Sequence, residues 1–312
     1  MRSFAIFLLI ISGLLFTTPL QAKDELGWWA TLPKEWKAVF KEKFRLRGTV
    51  TEAEVQTIWT ARSLNLSGRT DIYSLKPLLA LTNLEELNCN DTPLTDISTL
   101  RKLTKIRVLR LRSTEVTDFS PIASLTQLEK LDVSFTSFTA TELLPKLKFL
   151  HLLSVRQTPI LDISDLKNCK LLDTLVIGSC QIDEIAPIAN LSRLQYLDIS
   201  NSRVLNIDTL ANLKFLKGLR ASKNSIRSVR FAERLTNLVS LDVSSTLIED
   251  ELYPLAKNTS LKVLNIADTP IHSLKNIRHL TDLQKLTVTT TYISAKDVDI
   301  FQQRAAACVI ER

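Results

Sequence analysis

Three histidines (His151, His272, His279) and four cysteines (Cys89, Cys169, Cys180, Cys308) are the side chains in this chain best suited to metal or nucleophilic chemistry. A metal site needs such groups to converge at short, defined spacings, because the ion imposes a fixed set of ligands. Here each stands alone, spread from residue 89 to residue 308. With only six glycines there is no Gly-rich phosphate loop, and no serine nucleophile elbow occurs. The sequence predicts no metal, no cofactor and no catalysis.

A different set of residues recurs at one period. Arg110, Asp132, Val176, Asp198, Arg220 and Asp242 lie at multiples of 22 residues from one another. Arg112 and Arg156 fall two positions after that series, and Leu152 and Tyr196 two positions before it. Arginine and tyrosine beside aliphatic side chains is the composition of a binding hot spot. These are the candidate partner-binding residues.

The period belongs to the whole chain. A leucine returns at 64, 87, 109, 131, 153, 175, 197, 219, 241, 264 and 286, at intervals of 22 or 23 residues. Two positions after each comes a second core residue, such as Leu66, Cys89, Leu111 or Val133. Apolar residues alternating with free positions predict a short strand with one buried face. One such unit cannot bury its apolar edge, whereas a stack of eleven can. The free positions flanking each leucine then form columns on the opposite, concave face, so all ten candidate residues share that face.

Both ends need covers. All four tryptophans precede the first repeat, and Pro33 opens a helix in which Trp36, Phe40 and Phe44 recur among lysines. Thr51 and Glu54 form a capping box for a second helix carrying Val55, Ile58 and Trp59. Such a basic, aromatic helix either caps the stack or lies on a membrane, and an exposed first rung favours the cap. At the other end Ser294 is the expected N-cap of a helix containing Val298, Ile300 and Phe301. Extending the period from Leu286 places a twelfth rung on Cys308, with Ala305 and Ile310 in its flanking core slots.

The unit from Leu172 to Leu191, Leu-x-x-Leu-x-Ile followed by Cys180, Ile182, Ile185, Ile188 and Leu191, resembles the 22-residue leucine-rich repeats of bacterial internalins and SDS22-like proteins. The resemblance spans about residues 61–310. It implies an α/β solenoid with a curved parallel sheet on the concave face, short helical or extended segments on the convex face, and protein ligands on the sheet. Asparagine is common in that class at the slot leaving the strand, whereas here Thr92, Thr114, Thr136, Thr158, Cys180, Ser202, Asn224, Thr246, Thr269 and Thr291 occupy it. A hydroxyl satisfies one buried backbone group, with fewer bonds than an amide. No cell-wall anchoring module or immunoglobulin-like domain follows the repeats, which points to a Gram-negative exported relative.

Arg2, an apolar run and then Thr-Thr-Pro-Leu-Gln-Ala read as a secretory signal peptide cleaved after Ala22. The run is shorter than the ~20 residues a membrane span needs, so no stable membrane insertion is expected. The expected location is periplasmic, secreted or at the cell surface. Despite export, the cysteines occupy repeat slots: Cys89 and Cys308 strand core positions, Cys169 a convex position and Cys180 the threonine slot. Buried free thiols are therefore expected rather than disulfides. The net charge is +7, with basic groups from Arg101 to Arg112 and from Lys214 to Lys223. Without aromatic stacking platforms or a known module these predict solvated faces and no nucleic-acid partner. Asn-x-Ser/Thr triplets at Asn65, Asn90, Asn190 and Asn258 match glycan acceptors by composition alone.

The expected organisation is a signal peptide over residues 1–22, an N-terminal helical cap over 23–60, eleven rungs over 61–293, and a C-terminal cap helix with a twelfth rung over 294–312. The function expected is that of an exported, non-catalytic scaffold holding a protein or peptide on its concave face. Adhesion to an envelope through the basic flanks is the first alternative, and regulation of an enzyme partner the second.

Overall fold

The structure is a computed structural model, which describes residues 24–249 and 252–312. The expected signal peptide, residues 1–22, lies outside the described residues. Twelve strands of three residues each, from β1 (Ser63–Asn65) to β12 (Val309–Glu311), form one parallel sheet in strictly sequential order. The repeat leucines pair across it, Leu64 with Leu87 and so on to Leu264 with Leu286. Each leucine is buried, and the side chains before and after it stand on the other face. The fold is thus the α/β leucine-rich repeat solenoid. Short 3-10 turns such as Lys76–Ala80 and Ser120–Ser124 run along the convex side.

At most strands the slot leaving the strand works through a threonine hydroxyl, whereas Ser202 Oγ has no hydrogen-bond partner among the described residues and the Cys180 thiol donates to the Val155 carbonyl. Thr114 Oγ1 donates to the Leu111 carbonyl at 2.7 Å, and the same bond recurs at Thr92, Thr136, Thr158, Thr246, Thr269 and Thr291. Asn224 instead donates to the Ile199, Ala221 and Ser222 carbonyls and accepts from Val204 N–H. Just before this slot, ten rungs place a non-glycine residue in the left-handed region, from Asp91 (φ 56°) to Thr290 (φ 57°). That conformation turns the chain from sheet to convex side.

Three helices close the N-terminal end: α1 (Glu25–Thr31), α2 (Lys34–Phe44) and α3 (Glu52–Trp59). The capping box forms, with Thr51 N–H donating to Glu54 at 2.8 Å. Trp36, Phe40, Val55 and Ile58 are buried, while Trp28 packs on Phe40 and Trp59 at 5.6 Å. The buried side chains of α2 and α3 join the core of the first rung, whereas α1 buries no residue and leaves Leu26 exposed. The sequence reading missed α1. Among the described residues no helix is long and apolar enough to cross a membrane.

At the C-terminal end α4 (Ala295–Arg304) is capped by Ser294 and buries Val298 and Phe301. The register of the last strand differs from the sequence reading. β12 pairs Leu286 with Ile310, not Cys308, and Cys308 lies buried just ahead of the strand. A ten-residue helix with its caps takes up more chain than a 3-10 turn of three to six residues, so the last interval is longer than the period. All four cysteines are free and buried.

Candidate functional site

The three columns of the concave face differ in what holds them. In the middle column the acidic and amide side chains serve the backbone. Asp132, Asp198 and Asp242 each accept the N–H of the serine two residues on, at 3.0, 2.9 and 3.1 Å, as Asn65, Asn88 and Asn265 do for their own strands. This is the Asx turn, in which a short acceptor side chain satisfies the backbone where a strand ends. The acids are thereby occupied, while Arg110 and Arg220 have no such task.

The charges of this column are therefore not equivalent. Asp198 is 2% exposed and does not present its charge to solvent. Neighbours of opposite charge along the column, Arg110 with Asp132 and Arg220 with Asp198 and Asp242, are not among the ion pairs of the described residues. Instead Arg156 reaches across two rungs to Asp198 at 2.6 Å and touches Ser200 Oγ at 3.2 Å. Arg112 lies over the Phe135 ring, 4.6 Å from its centroid. Arg110 lines a separate recess with Lys43, Glu86 and Asn88 near the N-terminal cap.

The two glycines of rungs six and eight do not leave open space. A Cβ on Gly218 would lie 2.8 Å from Tyr196 Cδ2, so the tyrosine ring already fills that gap. A Cβ on Gly178 would lie 2.8 Å from Asp198 Oδ1 and 2.9 Å from Ser200 Oγ, which places the buried network there. Nor do the three apolar candidates form one patch. Along the first column Leu152 pairs with Thr174 and Thr174 with Tyr196, so a threonine separates them. Val176 stands one column over, next to Asp198.

What the fold does bring together is a polar cleft of about 290 Å³ lined by Arg156, Ser200, Arg220, Ser222, Lys223 and Asp242. Tyr196 stands one rung from Arg220, and burial pushes its phenol up despite the nearby guanidinium. Among the described residues neither Arg220 nor Lys223 is in an ion pair. Lys223, read in the sequence as part of a solvated basic group, was left out of the candidate site because it occupies the turn position, outside the strand columns. A second cleft, about 420 Å³, opens at the edge where the strands begin, between His151, Leu171, Asp173, Arg193, Gln195 and Phe215. Among the described residues no three His, Cys, Asp or Glu side chains are placed to hold a metal ion.

The basic stretch from Arg101 to Arg112 is largely bonded at the surface. Arg107 pairs with Glu129, Arg101 donates to Ser120 and Lys105 to Asn83.

No protein-family model matches the sequence, and no curated protein matches it. Among solved structures the fold is similar to an internalin from Listeria monocytogenes, with a TM-score of 0.73 at 22% identity over 89% of this chain and 88% of that one. It is also similar to a leucine-rich repeat protein of Leptospira interrogans, with a TM-score of 0.65 at 19% identity over 85% and 81%. A plant peptide hormone receptor, solved in complex with a peptide, superposes with a TM-score of 0.63 at 16% identity over 76% of this chain and 41% of that one. At these identities the likeness is one of fold.

Proposed function

We propose that this chain, an internalin-like leucine-rich repeat solenoid in fold, is an exported scaffold that binds a protein or peptide on the concave side of rungs five to nine and does no catalysis itself. The observation that carries this is the pairing of a rigid tyrosine with free cations. Tyr196 is seated on Gly218, and on the neighbouring rung Arg220, with Lys223, lines the polar cleft. A ring already fixed in place loses little entropy on binding, and arginine and tyrosine together are favoured anchors. With Arg156 paired to Asp198, the cleft keeps Arg220 and Lys223 against Asp242, so its charge is mainly positive and suits an acidic partner. A peptide hormone receptor of similar fold supports a peptide or protein ligand by likeness of fold, without placing it on either face.

Export through a leader over residues 1–22 is part of the same proposal, as are the organisation over 23–60, 61–293 and 294–312 and the ten residues Arg110, Arg112, Asp132, Leu152, Arg156, Val176, Tyr196, Asp198, Arg220 and Asp242. In this reading Tyr196, Arg220 and Arg156 carry the central contacts, while Asp198 and Asp132, which accept the N–H of Ser200 and Ser134, position their neighbours. The test is capture of a partner by the immobilised chain, with the same capture by Tyr196→Ala and Arg220→Ala. Loss with both variants, their folds intact, supports the concave site. Undiminished capture would refute it.

A further inference from the structure

The slot that opens each repeat's approach to the sheet follows a rule that four rungs break. Before the strand, most rungs carry threonine and then a polar residue: Thr82-Asn83, Thr104-Lys105, Thr126-Gln127, Thr236-Asn237, Thr259-Ser260 and Thr281-Asp282. Rungs five to eight carry Lys148-Phe149, Lys170-Leu171, Ser192-Arg193 and Lys214-Phe215. Phe149 is 47% exposed and Phe215 62% exposed, so the core does not require them. Side chains in this slot reach one another between rungs, as Lys105 does to Asn83 at 2.7 Å. Phe149, Leu171, Arg193 and Phe215 thus succeed one another in this slot, and the 420 Å³ cleft lies between the last three, with His151 and Asp173 behind it. Among the described residues Lys148, Lys170, Arg193, Lys214 and Lys217 are in no ion pair. An exposed apolar row with unpaired cations confined to four adjacent rungs marks an interaction surface.

We infer that this strand-entry edge of rungs five to eight is a second docking surface, distinct from the concave cleft, and that its occupant is an acidic amphipathic helical segment of a partner protein. The charge of the lysines sets the sign of the partner, and the aromatic rungs require apolar side chains between its carboxylates. Rungs recur about every 4.8 Å and a helix advances about 5.4 Å per turn, so successive turns meet successive rungs along the roughly 14 Å from rung five to rung eight. An anionic lipid surface carries the same sign of charge, and the vesicles in the test tell it apart from the helix.

The test uses a synthetic acidic helix of about four turns with leucines at i, i+3 and i+7 between glutamates, a scrambled version of it, and vesicles of phosphatidylcholine with phosphatidylserine. The full chain should bind the helix, and the scrambled peptide at least about tenfold more weakly. Phe149→Ser combined with Phe215→Ser, and separately Lys148→Glu with Lys170→Glu and Lys214→Glu, should each weaken binding at least about tenfold with the circular dichroism unchanged. Lys105→Glu, in the same slot on rung three, should change it less than about twofold. The inference is overturned if the chain does not bind the helix, if either set of substitutions leaves affinity unchanged, if Lys105→Glu weakens binding as much as they do, or if the vesicles bind and the peptide does not.

Discussion

Arg156 and Asp198 stand two rungs apart, 42 residues along the chain, and are joined by a 2.6 Å bond from Nη2 to Oδ2. Asp198 is fully engaged, accepting the Ser200 N–H at 2.9 Å and the Ser200 hydroxyl at 2.6 Å on its other oxygen. The arginine passes over the intermediate rung where Gly178 has no side chain to obstruct it. Arg156→Ala leaves a buried carboxylate one partner short and should cost about 1–3 kcal/mol in urea unfolding. An unchanged midpoint would mean the bond contributes nothing net.

The C-terminal cap should be acid-sensitive through Asp297. Burial alone would raise its carboxyl, but the Arg278 guanidinium, the Leu274 N–H and the Ser273 hydroxyl outweigh that and hold it below the usual range. A carboxyl lowered on folding stabilises fully above its unfolded value, about 4, and the contribution is lost as pH falls through the lower folded value. Urea midpoints should therefore drop between neutral pH and about pH 3, and Asp297→Asn should show a smaller drop. An equal drop in both proteins would remove Asp297 as the cause.

Tyr196 and Gly218 offer two routes to the same loss. Tyr196→Ala should cost at least about 2 kcal/mol of binding to a captured partner and little stability. Gly218→Ala should displace the ring, whose Cδ2 lies 2.8 Å from the added methyl, and weaken binding without removing the tyrosine. Arg220→Ala should weaken capture mainly through a slower association rate. If binding survives both Tyr196→Ala and Val176→Asp, the concave centre is not the site.

The four thiols are predicted to be slow. Burial raises the Cys89 thiol far above its ordinary value and pushes Cys169 to about 11, so little thiolate exists at neutral pH. Under denaturing, non-reducing conditions all four should react with a thiol reagent, and far fewer in the folded chain. Recovery of two or none on denaturation would reveal disulfides.

Thr290 is β-branched and sits at φ 57°. Asparagine tolerates that conformation better, so Thr290→Asn should raise stability by about 0.5–1 kcal/mol. A lower midpoint would show that the threonine side chain is needed there.

The stack, its sheet and the concave columns were legible in the sequence because the leucine period and the strand alternation are local, and nearest-neighbour stacking propagates them along the chain. The capping box at Thr51 and the N-cap at Ser294 were legible for the same reason. Which charges are free was not. The middle column gives Asp198 and Arg220 equal standing, yet one is buried beneath Arg156 and the other opens into the cleft. Only the packing of three rungs at once decides that, because Gly178 and Gly218 create room that Asp198 and Tyr196 then fill. The last register likewise escaped the period: α4 replaces a short turn with a helix, and the extra chain it consumes shifts Ile310 to the place where Cys308 was expected.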